Sequence, residues 1–364
     1  MTSMSFIRSV AAKRGLRLPP KSTTYVADLS AHPYAELNAL INQSILRCAP
    51  RIRLTRNAVI LSRCIGHKTG ASGRPMSQAL DELIDVLSLK PKADEHVFAG
   101  KGSSGDGAAG TFGGQFLGQA AAAALATVDD RIRLHSLHGY FLRGGKPGVT
   151  IDYHVKLVRD GRTFATRMVD AYQGSRHLFQ MLASFTADVP AHEFAPTPPP
   201  DLSSVPPPLS LPTYETLMRS LDPLPLPAAW ALREHGMDVR VINAPWTERG
   251  PTAESGIRMW IKARDTLPDT PWLHTALLAY QSDESISDNV LVPFGLTWST
   301  PELVFVSLDH AMWFHSAPDL NAWHFVEQRP LVAQGGRGTA FGQVWRVDGT
   351  LVATFTQEAL MRPV

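Results

Sequence analysis

Hydrophobic positions beyond residue 75 repeat with two different periods, and the places where one period gives way to the other outline the elements of the chain. From Met76, the positions Leu80, Leu83, Ile84, Leu87 and Leu89 predict an amphipathic helix that needs nothing before it. The stretch GTFGGQFLGQAAAAALATV (110–128) is small and apolar on nearly every side, which predicts a helix buried all round with a sheet wrapped closely about it. Over 134–185 the apolar runs are cut by Gly144-Gly145, Asp160-Gly161 and Gly174, the punctuation of antiparallel strands. One run alternates cleanly, with Val149, Ile151, Tyr153, Val155 and Leu157 opposed to Thr150, Asp152, His154 and Lys156. Residues 190–212 are dense in proline and read as a stiff extended linker. Strand patterns follow at 239–245 and 257–263, then a helix over 271–283, then strands near 303–314, 323–332, 338–347 and 350–361.

The two parts share a plan of one helix followed by meandering strands, and they share local text. RDGRTFATRMVDAYQGSRHLFQMLASF (159–185) parallels GGRGTAFGQVWRVDGTLVATFTQEALM (335–361), each with a Gly-Arg start, a strand, a glycine turn and a closing strand. A weak repeat of one α+β unit, each a sheet wrapped around a long helix, predicts two fused hotdog units. The expected boundaries are a basic extension over 1–75, an N-terminal hotdog over 76–190, a proline-rich linker over 191–238 and a C-terminal hotdog over 239–364.

Length agrees, since 364 residues exceed what one core usually serves. Net charge near +2 hides an asymmetry. Residues 1–75 hold 12 Lys or Arg against Asp28 and Glu36 alone, leaving 23 of the 35 basic and 31 of the 33 acidic residues to the rest. A body with excess acid argues against a nucleic-acid surface. The basic opening fits a targeting segment, a disordered tail or sequence upstream of the native start; the third is preferred, because the pattern at Met76 is self-sufficient. No run of about 18 apolar residues offers a membrane span. Cys48 and Cys64 are the only cysteines, so neither a disulfide framework nor a Cys-rich zinc site holds the body together.

Chemistry is sought where the pattern forces polar groups inward. Asp283 lies three residues past Tyr280 on the helix face marked by Leu273, Ala276 and Leu277, a place where a carboxylate is desolvated. Gln357 shares a strand face with Leu351, Ala353, Phe355 and Ala359 and must find a polar partner. Ser307 interrupts the apolar run LVFVSLDHAMWF. Each has a plain structural explanation as well: a solvated helix end, an amide satisfied by backbone, a strand serine. No Ser flanked by Gly at two residues on either side occurs, which argues against the nucleophile elbow of an α/β hydrolase. His135 and His138, and His310 and His315, lack metal-set spacing. Gly105, Gly107 and Gly110 match G-x-G-x-x-G with Asp129 downstream, but no long strand feeds the first glycine and no crossover pattern follows. Those glycines precede a helix start whose amides suit an anion instead.

With TFGGQFLGQA (111–120), LHSLHGYFLRGG (134–145), KLVRDGRTFATR (156–167), LLAYQSD (277–283), SLDHAMWFH (307–315) and DGTLVATFTQEALMR (348–362) in order, the chain from 76 to 362 resembles the acyl-CoA thioesterase II family of double-hotdog enzymes. The resemblance implies hydrolysis of fatty acyl-CoA without cofactor or metal by an Asp ending the second-half helix, a Ser or Thr before D-H-x-M-W-F-H and a Gln in the last strand. Those positions here are Asp283, Ser307 and Gln357. The expected roles are Asp283 as general base on a water held by Ser307 and Gln357, with helix-start amides at Gly114 and Gln115 receiving the oxyanion and His135 as a weaker candidate. A covalent acyl-Ser307 is the rival mechanism. A non-catalytic acyl-CoA binder and a hotdog enoyl-CoA hydratase are the rival functions. The ending Met-Arg-Pro-Val lacks a peroxisomal S-K-L address, so the expectation is a cytoplasmic enzyme of fatty acid metabolism, acting on acyl-CoA as a homo-oligomer, dimer or tetramer, with no nucleic-acid partner.

Overall fold

The computed structural model describes residues 76–102, 110–190, 192, 194, 200–243 and 256–363, all within one compact unit. The basic extension over 1–75 lies outside the described residues. In chain order come α1 (Gln78–Leu87), β1 (Lys90–Pro91), β2 (Val97–Gly100), α2 (Gly113–Leu125), β3 (Ile132–Phe141), β4 (Ile151–Asp160), β5 (Phe164–Gln173) and β6 (Arg176–Ala187). Next are α3 (Tyr214–Arg219), α4 (Ala228–Ala231), β7 (Met237–Val241), β8 (Arg258–Ala263), α5 (Pro271–Gln281), α6 (Asp288–Leu291), β9 (Leu303–Phe314), β10 (His324–Gln334), β11 (Arg337–Arg346) and β12 (Leu351–Pro363).

The described strands form one sheet of twelve in the order β1-β2-β4-β5-β6-β3-β9-β12-β11-β10-β8-β7. Its right half repeats its left half in reverse, so that β2, α2, β3, β4, β5 and β6 correspond to β8, α5, β9, β10, β11 and β12. This is the α+β double hotdog, with a helix in the hollow of each half-sheet. Each strand pairing is antiparallel, which no dinucleotide-binding crossover fold allows. The halves join where β3 pairs with β9, about a centre at His138 opposite Ala311.

Periodicity forms these elements as expected in most places. In β4 the sides alternate from buried Ile151 to buried Val155 with Asp152 and His154 outward, although Val149 lies exposed before the strand begins. Helix α2 is buried from Gly114 to Leu125, but its small face meets more than sheet. A β-carbon placed on Gly114 would stand 2.2 Å from the Tyr280 carbonyl oxygen, and one on Gly118 would stand 3.0 Å from that of Ala276. The side-chain-free ridge therefore receives α5, and the two central helices touch backbone to backbone.

The proline-rich segment does more than span. It contains 3-10 turns at Leu202–Ser204 and Pro208–Ser210 besides α3 and α4. Val205 is buried among Trp260, Phe325 and Trp345, and the Trp260 indole N–H donates to the Pro206 carbonyl at 2.9 Å. Proline removed backbone donors but left apolar side chains and carbonyls free to dock, a distinction composition does not make. No described helix is long and apolar enough to cross a membrane.

Candidate active site

Three elements bring the sequence-flagged acid, alcohol and amide together in the second half. Helix α5 ends at Gln281, Ser282 caps it, and Asp283 follows with 6 % of its surface exposed. Strand β12 carries Gln357 inward between Phe355 and Ala359, fully buried. Strand β9 supplies Ser307, whose Oγ accepts a hydrogen bond from Gln357 Nε2 at 2.8 Å.

A bulge in β9 sets which side chains enter. Gln357 pairs with His310 and Glu358 with Asp309, but Ala359 pairs with Ser307, so Leu308 is the extra residue. The Glu358 N–H is satisfied by Asp309 Oδ1 at 2.9 Å. Strict alternation would send Ser307 and His310 to opposite faces. The inserted residue switches the parity, and His310, Met312 and Phe314 are buried with Phe305. His310 was set aside in the sequence as a metal-less histidine. In the structure it lies 1 % exposed, with Nδ1 at 2.5 Å from Gln357 Oε1 and Nε2 at 3.0 Å from Ser282 Oγ. The signal that could have revealed it is the polar triplet Ser307, Asp309, His310 in an otherwise apolar strand.

Electrostatics follow from burial. Desolvation pushes the Asp283 carboxyl from the usual carboxylate range to about 7; the Gln357 amide and the Gly114 N–H act against that shift, and the nearby Asp288 and Glu284 charges add to it. Among the described residues, Oδ1 of Asp283 has no hydrogen-bond partner. Burial also lifts Asp288 to about 7 despite the Trp298 N–H at 2.5 Å, and it lowers His310 to about 4, leaving the imidazole neutral near pH 7. A carboxyl that titrates near neutrality beside an alcohol and an amide is suited to taking a proton from water.

The weaker candidates are placed elsewhere or otherwise occupied. His135 is the extra residue of the matching bulge in β3; its Nε2 lies 2.8 Å from Ser184 Oγ and its ring is edge-on to Phe164. Gln115 is buried, donating from Nε2 to the Lys101 carbonyl at 2.9 Å and to Gln119 Oε1 at 3.2 Å, while its own N–H bonds the Phe112 carbonyl. Of the helix-start groups, the Gly114 N–H is the one directed to Asp283. Beside it opens a cleft of about 740 Å³ lined by Arg233 and by Phe112, Gln115, Tyr280, Gln281 and Glu284, which lie near Gly113, Gly114 and Asp283 along the chain. Gly105 and Gly107 of the glycine pattern lie outside the described residues. Among the described residues, no three His, Cys, Asp or Glu side chains are grouped to hold a metal ion.

The first half lacks this set. By strand register, Leu134, Leu137 and Ala183 occupy the positions of Ser307, His310 and Gln357. The fold was duplicated and the polar cluster stands in one copy.

Comparison with known proteins agrees with the fold. Residues 102–186 match the family described as acyl-CoA thioesterase N-terminal domain, and residues 216–361 match acyl-CoA thioesterase C-terminal domain. Acyl-CoA thioesterase 2 of Haemophilus influenzae is 34% identical over 293 residues, covering 79% of this chain and 99% of that one. Human acyl-coenzyme A thioesterase 8 is 32% identical over 311 residues, covering 82% and 94%. The crystal structure of an acyl-CoA thioesterase II from Mycobacterium marinum is similar at a TM-score of 0.61 and 32% identity, covering 78% of this chain and 98% of that one. A hot dog fold protein from Alicyclobacillus acidocaldarius, at a TM-score of 0.62 and 21% identity, bears on the fold alone.

Proposed function

The chain belongs to the acyl-CoA thioesterase II family, and on that premise we propose that it hydrolyses fatty acyl-CoA to free fatty acid and CoA, with Asp283 activating a water held by Ser307 and Gln357. The observation that carries this reading is the meeting of a buried carboxyl raised to about 7 with an amide that also bonds Ser307. Water held there gives its proton to Asp283 and its oxygen attacks the thioester carbonyl. The negative charge that develops on the carbonyl oxygen is stabilised by the positive end of α2, whose first turn opens beside Asp283. Collapse of the tetrahedral species expels the CoA thiolate, which recovers the proton.

Attack by Ser307 itself would need a base on its hydroxyl. Both ring nitrogens of His310 are engaged by Gln357 and Ser282, which favours water as the nucleophile. The test is a panel of acyl-CoAs assayed in parallel for free-thiol release, double-bond hydration and binding. Thiol release by the wild-type protein supports the reading. Tight binding without turnover, or hydration without thiol release, overturns it.

A further inference from the structure

His310 is not among the three groups that handle water, yet it is buried as deeply in the cluster as Gln357. Its partners form a chain running from Ser282 Oγ to His310 Nε2, from His310 Nδ1 to Gln357 Oε1, and from Gln357 Nε2 to Ser307 Oγ. A neutral imidazole has one N–H, so this chain has a direction.

Two directions close on paper. In one, Nδ1–H donates to Gln357 Oε1, Ser282 turns its single hydroxyl proton from the Ala279 carbonyl to Nε2, and the Gln357 NH₂ edge faces Ser307 and Asp283. In the other, Nε2–H donates to Ser282, whose proton goes to the Ala279 carbonyl 2.9 Å away, and Nδ1 becomes an acceptor. The second direction requires the Gln357 amide to be turned over so that its NH₂ meets Nδ1. Its oxygen would then face Ser307 and Asp283, and Asp283 in the ionised form that serves as base offers no donor to it. The terminal torsion of Gln is soft and nearly two-fold, so nothing in Gln357 itself prevents the turn. The group that decides it is the imidazole.

We propose that His310, held as the neutral Nδ1–H tautomer, is a positioning residue that fixes the Gln357 amide with its NH₂ edge on Ser307 and Asp283. Ser307 Oγ then accepts from Gln357 and keeps its own proton to donate to the reacting water or substrate oxygen. The internal duplication supplies independent support. Where the first half has Leu134 and Ala183 in place of Ser307 and Gln357, it has Leu137 in place of His310, so the histidine is absent together with the groups it would orient. The ring also stacks on Phe355, with centroids 5.9 Å apart and planes 18° from parallel, which fixes its plane for one pair of partners.

The proposal rests on the reading of Gln357 and Asp283 as water-handling groups, and the test separates the two. Wild-type protein labelled with ¹⁵N-histidine is examined by NMR at neutral pH, the His310 signals being identified by their loss in His310→Asn. Protonated Nδ1 with bare Nε2 is expected; the Nε2–H tautomer overturns the proposal whatever the activity. In parallel, His310→Leu copies the first half and removes the donor, while His310→Asn keeps an N–H near the Nδ1 position. Leu is expected to lower kcat by about 10²-fold with KM little changed, the scale of a misplaced catalytic group, and Asn to recover at least about tenfold of that. A folded Leu variant with wild-type kcat, or equal loss in both variants, overturns the positioning role. If Asp283→Asn is inactive while His310→Leu is not, the water chemistry stands and only the histidine's part falls. If neither variant folds, His310 is assigned instead by through-bond correlations in ¹³C,¹⁵N-labelled wild-type protein, and its tautomer still decides.

Discussion

Gly113 stands so close to Asp283 that a β-carbon added to it would lie 2.6 Å from Oδ2. The central helix of the first half, α2, thus presses its bare backbone on the acid that follows the central helix of the second half. The two central helices are docked closely enough for the site to need both halves.

Gly113→Ala should therefore displace Asp283 while leaving the helix intact, because alanine favours helix over glycine. A loss of at least about tenfold in kcat at a near-wild-type thermal midpoint is expected, since small misplacements of a catalytic group are costly. Gly114→Ala is the contrast. Its added methyl would meet the Tyr280 backbone, so its damage should register as a lowered midpoint.

Asp283→Asn should remove the base and cost about 10² or more in kcat. A folded variant losing less than tenfold would take Asp283 out of that role. The same change should raise thermal stability at pH 8, because Asn carries no charge to bury where the aspartate must be ionised.

The pH dependence has a definite sign. With the Asp283 carboxyl at about 7, the base form is gained as pH rises, so kcat/KM should climb through about pH 7 and level off above it. Stability should run the other way. The folded state holds a proton on Asp283, and on Asp288, that the unfolded chain gives up near the ordinary value of 3.8. Their contribution is fully favourable below 3.8 and declines as pH rises from there to about 7, which denaturant titrations at pH 5 and pH 8 would register.

Ser307→Ala should lower kcat through loss of one contact to the water, and mass spectrometry of the wild-type protein during turnover should find no acyl group on Ser307. An acyl-Ser307 species would reverse the assignment of the nucleophile.

A protein beginning at Met76 should retain full activity. Ser77 is anchored by its backbone N–H to the Asp265 carboxylate at 2.7 Å, and α1 buries Leu80, Leu83, Ile84 and Leu87 from within the body. A large drop in activity or solubility on removal of residues 1–75 would assign those residues a part in the fold.

Much of this protein was legible from residue order because its elements are written in local periods. The alternation in β4, the small apolar run of α2 and the repeated text of β5–β6 and β11–β12 depend on neighbours a few positions apart, and they sufficed for two hotdog units. Asp283 and Gln357 could be singled out for the same reason, as polar residues on apolar faces. What only the tertiary structure decided concerns contacts that no local period encodes. The extra residue Leu308 turns both Ser307 and His310 inward, against the alternation that would separate them. The docking of α5 on the bare ridge of α2 places Gly113 and Gly114 at the acid, and burial from both halves lifts its pKa. The packing of Val205 and Pro206 on Trp260 likewise turns an apparent spacer into part of the core. Bulge register, helix docking and desolvation are set by partners more than a hundred residues away along the chain or on a neighbouring strand, so they exist only once the chain has closed on itself.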